Sequence, residues 1–188
     1  MTNKRFDYTG FTLIELLVVI AIIAILAAIV APNAFRAIEK GKVAATIRDY
    51  RSIESAATAY FGDTGQWPGD QAATVGFVIC PTGPRGVLLP GWDGPYLEKW
   101  PRAKWGGEYL FRVHYDGQSA VGGFDWAPGY PMVRVLSIPN VPSSATPSAT
   151  TAAGRIDMGI DGAVDPNAGI VRYALTDPTT VYILVARD

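Results

Sequence analysis

One carboxylate, Glu15, stands just ahead of sixteen residues, Leu16 to Ala31, that carry no polar side chain. A charge at the edge of so apolar a run needs a partner, because a lone carboxylate in hydrocarbon is costly and is rarely kept without one. A second group of oxygen donors, Asp157, Asp161, Asp165 and Asn167, lies in the Gly-rich stretch "RIDMGIDGAVDPNAGIVRY". Hard oxygen ligands at short intervals suit calcium, although the spacing is not that of an EF-hand. A solvated loop closed by Asx turns explains the same residues. The other reactive side chains do not form a constellation. His114 is the only histidine and sits between Val113 and Tyr115, as a structural strand residue would. "GQSAV" around Ser119 lacks the second glycine of a nucleophile elbow. "EKGKVA" around Lys42 lacks the upstream glycine and the following Ser or Thr of a phosphate loop. No enzyme is expected.

Charge and cysteine usage narrow the function further. The chain of 188 residues fits one domain, at most two, and its net charge is −1. A near-neutral surface does not displace counterions from phosphates, so no nucleic-acid partner is expected. Cys80 is the only cysteine, which excludes an intrachain disulfide, and its setting "VGFVIC" reads as a buried small hydrophobe. Five tryptophans suit a core or subunit contacts, with a sugar-binding face as the alternative.

These residues must be held by definite elements. Extending the apolar run back to Phe11 gives 21 residues, interrupted by Thr12 and Glu15. A helix of that length covers roughly 30 Å, the thickness of the hydrocarbon layer. Lys4 and Arg5 precede it, which sets the N-terminus inside and the C-terminus outside. A cleaved signal peptide would offer Ile29 and Ala31 at the −3 and −1 places with Pro32 next, a poor site. A plain anchor leaves Glu15 unexplained.

Beyond Asn33 the pattern turns amphipathic. Val43, Ile47, Tyr50, Ile53, Ala57 and Phe61 recur at helical spacing, among Arg36, Glu39, Lys40, Lys42, Arg48, Asp49, Arg51 and Glu54. The spacing predicts one helix from Phe11 to Phe61, about 75 Å long, ended by Gly62. Pro32 would kink or loosen it, or else divide it into two helices. From Trp67 onward, Gly, Pro and short apolar runs predict strands at Tyr109–Tyr115, Met132–Ile138, Ile170–Leu175 and Val181–Ala186. With no useful helix between them, they form an antiparallel sheet over the helix's apolar stripe, giving an α+β fold. Pro139 to Gly154, rich in Ser, Thr, Ala and Pro, reads as an exposed, mobile loop open to O-glycosylation.

The stretch "GFTLIELLVVIAIIAIL", with Pro32 beyond it, resembles the type IV prepilin N-terminus, shared by pilins and the pseudopilins of type II secretion. The resemblance implies a leader, residues 1–10, removed after Gly10 by a prepilin peptidase that also N-methylates Phe11. It implies a membrane and filament-core helix at 11–33, an amphipathic half at 34–63 and a globular domain at 64–188. The new amine at Phe11 sits at helical spacing from Glu15. In a staggered filament Glu15 of one subunit would meet the Phe11 amine of the next and set the register, as a buried polar residue does in a coiled coil. Glu15 and Pro32 are thus assembly residues. "GPYLEKWPRAKWGGEYLF", Gly94 to Phe111, resembles the loop before the sheet in the major-pseudopilin branch, with Ala103-Lys104 replacing the usual Asp-Pro. That branch carries calcium in its C-terminal loop. The family thus implies a structural subunit of a periplasmic pseudopilus supporting protein export. Its partners would be further copies, minor pseudopilins, an assembly platform and inner-membrane lipid. The alternative is a type IV pilin or minor pilin of a surface fibre serving adhesion, motility or DNA uptake. A membrane-anchored binding module that uses its aromatics on a ligand is a third reading.

Overall fold

A computed structural model describes residues 10–69, 90–115, 132–176 and 178–187. Cys80, Ser119 and the Lys4–Arg5 pair lie outside the described residues. The order of elements is α1 (Leu13–Thr64), β1 (Leu110–Tyr115), β2 (Met132–Val141), α2 (Ala152–Asp161), β3 (Val171–Tyr173) and β4 (Thr179–Arg187). The four strands form one sheet in the order β1-β2-β4-β3, every neighbouring pair antiparallel. The chain divides into two compact units, residues 1–39 and 40–188.

The first unit holds the apolar part of α1. Its Leu, Ile and Val side chains are exposed, from Val19 at 45% to Leu13 at 81%, so nothing among the described residues covers them. Pro32 lies inside α1, which continues on both sides of it as one helix.

In the second unit α1 buries Val43, Thr46, Tyr50, Ile53, Ala56, Ala57 and Tyr60. Steps of three and four carry this stripe along one face. The predicted stripe ended on Phe61, but Tyr60 takes the core place. Phe61 stays partly exposed and stacks on Trp67, ring centroids 4.6 Å apart. The helix also runs past Gly62. Gly65 closes it at φ +69°, donating its amide to the Phe61 carbonyl at 2.8 Å, because a left-handed residue is what ends the hydrogen-bond ladder.

The core joins that stripe to Tyr109, Phe111, Leu136, Ile138, Val171, Tyr173, Val181 and Ile183 from the sheet. Alternation on β4 holds through Ile183 and then breaks. The partner of Val135 is Leu184 whereas the partner of Arg134 is Ala186, so Val185 is the extra residue of a β-bulge. Leu184 thereby joins Val133 and Val135 in a small second cluster. β2 carries another irregularity at Pro139-Asn140, where Asn140 adopts φ +58°.

Two expectations fail in the segment after β2. Pro139 to Val141 complete that strand, and the stretch ends in a helix, α2, between strands where none was expected. Val141, Ala152 and Ala153 are fully buried, so the segment is packed and not a mobile loop. Thr151 is the N-cap, its hydroxyl accepting the Gly154 amide at 3.2 Å, and Gly162 is the left-handed C-cap. A Cβ on Gly154 would strike the Ser148 carbonyl. The small residues that read as low complexity are there because backbone approaches backbone too closely for larger ones.

Candidate functional site

The N-terminal end of α1 is built by a short local motif. Gly10 and Phe11 precede the helix, both exposed, and Thr12 stands at the N-cap. The Thr12 amide and hydroxyl both donate to Glu15 Oε2, at 2.8 and 2.7 Å, while the Glu15 amide donates to Thr12 Oγ1 at 3.3 Å. This is a capping box: two amides that the helix cannot satisfy are satisfied by side chains three residues apart. The sequence carries that signal as T-x-x-E at the start of the apolar run. The box explains why the helix starts at Leu13 and not at Phe11. It also orients the carboxylate, since Oε2 is engaged in its own chain and Oε1 has no partner among the described residues. The residues after it form a helix long and apolar enough to cross a membrane.

The Gly94–Phe111 segment clamps mainly on α1. The Tyr96 hydroxyl donates to Asp63 at 2.8 Å and accepts the Asp93 amide at 3.1 Å. Its ring meets Tyr60 and Trp92 edge to face, at 5.7 and 6.0 Å. Asp49 on α1 accepts the Tyr109 hydroxyl at 3.0 Å and pairs with Lys104 at 2.9 Å. Burial, with Asp49 adding to it, raises the Tyr109 hydroxyl well above the ordinary phenol range. Lys104 is one of the two residues that depart from the expected Asp-Pro, and the ion pair is its role here. Trp100 fixes the inner end of the segment by donating to the Tyr109 carbonyl at 3.0 Å.

Asp157 and Asp161 lie on α2, with Asp165 and Asn167 in the loop after it, and each of the three aspartate carboxylates accepts a backbone amide. Asp157 Oδ2 accepts the Asp165 amide at 2.9 Å, and Asp161 Oδ2 accepts the Ile170 and Val171 amides at 3.0 and 2.9 Å. Asp165 Oδ1 accepts the Asn167 amide at 3.1 Å, an Asx turn. Among the described residues no group of three or more His, Cys, Asp or Glu side chains is gathered as a metal requires. Asp157 is buried, and loss of solvent, reinforced by Asp161 and Asp165, pushes its carboxyl up to about 7. His114 lies within β1 as expected.

Comparison with known proteins agrees with this geometry. Residues 5–31 match the prokaryotic N-terminal methylation motif, and residues 37–123 match the family described as PilW, C-terminal. The type II secretion system core protein G of Klebsiella michiganensis is 32% identical over 129 residues, covering 67% of this chain and 90% of that protein. The protein of the same name from Pseudomonas aeruginosa is 35% identical over 108 residues, covering 57% and 75% respectively. That of Vibrio cholerae is 32% identical over 103 residues, covering 55% and 69%. No solved structure matches. With a prepilin-type terminus capped by Thr12 and Glu15, a long helix on a four-stranded antiparallel sheet, and relatives matched over most of their length, the chain belongs to the type II secretion system core protein G family, the major pseudopilins.

Proposed function

We propose that this chain is the repeating subunit of a periplasmic pseudopilus that supports export of folded proteins. Before assembly it is held in the inner membrane by the first half of α1, with its N-terminus cytoplasmic and its sheet domain periplasmic. Cleavage after Gly10 frees an amine at Phe11, which is charged near neutral pH. The observation that carries the reading is the capping box. Thr12 holds Glu15 at the head of the helix with Oε1 unengaged. That oxygen is available to the Phe11 amine of a neighbouring subunit, and two charges that are each costly in hydrocarbon become a pair. The pair favours one stagger of the helices over others, so a local charge sets filament register. The exposed Ile, Leu and Val side chains then exchange lipid for one another. Methylation at Phe11, contact with an assembly platform and contact with minor pseudopilins follow from family membership and are part of the same proposal.

Glu15→Leu tests it directly. The variant is expected to insert, to be cleaved after Gly10 and to accumulate in the membrane fraction without forming filaments. Mass spectrometry of the mature terminus and electron microscopy of sheared material read the two halves of that outcome. Normal filaments from Glu15→Leu would refute the pairing. Long fibres at the cell surface from the unaltered chain, expressed at its natural level, would favour a type IV pilin or minor pilin instead.

A further inference from the structure

The stretch Pro139 to Gly154, which joins β2 to α2, has no charged residue and carries the hydroxyls of Ser143, Ser144, Thr146, Ser148, Thr150 and Thr151 among alanines and prolines. Ser/Thr-rich sequence with proline is the composition of O-glycosylated stalks. The fold sorts these hydroxyls. Ser143 is buried. The Ser144 hydroxyl donates to the Thr146 carbonyl at 2.6 Å. The Ser148 and Thr150 hydroxyls bond to each other at 2.7 Å. The Thr151 hydroxyl caps α2 and donates to the Ser148 carbonyl at 3.0 Å. Thr146 is exposed, and its hydroxyl has no hydrogen bond among the described residues.

That difference is chemical. A hydroxyl acts as a nucleophile by giving its proton to a base while its oxygen attacks. Ser144 and Thr151 direct their protons into their own chain, and Ser148 and Thr150 share one, so sugar transfer to any of these four would break a bond that shapes the turn or caps the helix. Transfer to Thr146 breaks none. Ser52 and Ser55 are exposed as well, but they lie within α1, where the backbone is committed to helix.

The backbone also suits Thr146 to an enzyme's cleft. Pro147 follows it, and a residue before proline is pushed out of the helical region toward extended backbone. Its neighbours Ala145 and Pro147 place no long side chain beside it. Val141 and Ala152, both fully buried, anchor the loop at its two ends. Little ordering is therefore lost when an enzyme closes on it.

We propose that Thr146 is an O-glycosylation site that takes a sugar from a diphosphate-linked carrier. Thr146 Oγ1 bonds to the anomeric carbon of the sugar. The bond from that carbon to the diphosphate oxygen breaks, the diphosphate leaves with the electron pair, and the hydroxyl proton passes to a base of the transferase. The modification does not depend on filament assembly. To test it, full-length chain is extracted from the membranes of the cells that naturally make it and weighed intact. The mature chain is expected to exceed its N-methylated polypeptide mass by one or more sugar residues, and fragmentation that keeps the sugar attached should place them on Thr146. Thr146→Val should lose the whole increment, whereas Thr146→Ser and Thr150→Val should keep it. The melting temperature of Thr146→Val should match that of the unaltered chain. A bare polypeptide mass, a sugar on any of the other hydroxyls, or an increment that survives Thr146→Val would each overturn the proposal. A lowered melting temperature for Thr146→Val would show that the fold holds this hydroxyl, and would overturn it too.

Discussion

The two halves of α1 are made of similar apolar residues and end in opposite states. Ile23 and Ile25 are 58% and 63% exposed, whereas Ile53 is wholly buried. Helix propensity does not separate them, and each half is helical. The difference is what the chain supplies against each face. Residues 43–60 meet a sheet folded from later sequence, so a single apolar stripe suffices and the rest of the surface is charged. Residues 13–31 are exposed among the described residues and, Glu15 apart, apolar on every side, the composition of a helix whose solvent is lipid or other helices. One half is stable as a fold, and the other is completed only by its surroundings.

Breaking the folded half without touching the other is the strongest test of that contrast. Ile53→Ala leaves a cavity between α1 and the sheet and should cost about 2–5 kcal/mol in denaturant unfolding of the detergent-solubilised chain, with membrane insertion unchanged. If insertion falls with stability, the halves are not independent. A smaller effect sharpens the account of the packed segment after β2. Thr151→Ala removes the α2 cap and should cost about 1 kcal/mol in the same assay. A loop with no fixed structure would show no loss.

The smallest effect is a slope. Folding pushes the Asp157 carboxyl up to about 7 from 3.8. Between those values the folded chain keeps a proton that the unfolded chain has released. Stability is therefore greatest below the lower value, falls as pH rises through the window and levels off above the upper one. Asp157→Asn keeps an oxygen for the Asp165 amide and loses the titration, so its melting temperature should vary less between pH 4 and 7 than that of the unaltered chain. Equal slopes would show that Asp157 does not carry the dependence.

Much of the architecture was legible because it is periodic. Val43, Tyr50, Ile53 and Ala57 repeat at the helical interval, and the strands announce themselves as short β-branched runs between turn residues. Two features are written in the sequence but are harder to see. Thr12 and Glu15 spell a capping box, and Pro139 to Gly154 spells a strand end, a close approach and a helix cap rather than a low-complexity loop. Small residues look alike whether they are needed for mobility or for tight packing, and only the neighbouring backbone distinguishes the two.

By itself the sequence determined the apolar segment, the position of its one acid and the stripe that faces the sheet, since these depend on residue spacing along a single helix. The tertiary structure decided where Asp49, Lys104 and Tyr109 meet, and that the C-terminal aspartates are engaged with backbone amides. Those facts join residues far apart in the chain. Local periodicity fixes which way a side chain points, but the partner it finds depends on how the whole sheet is stacked against the helix.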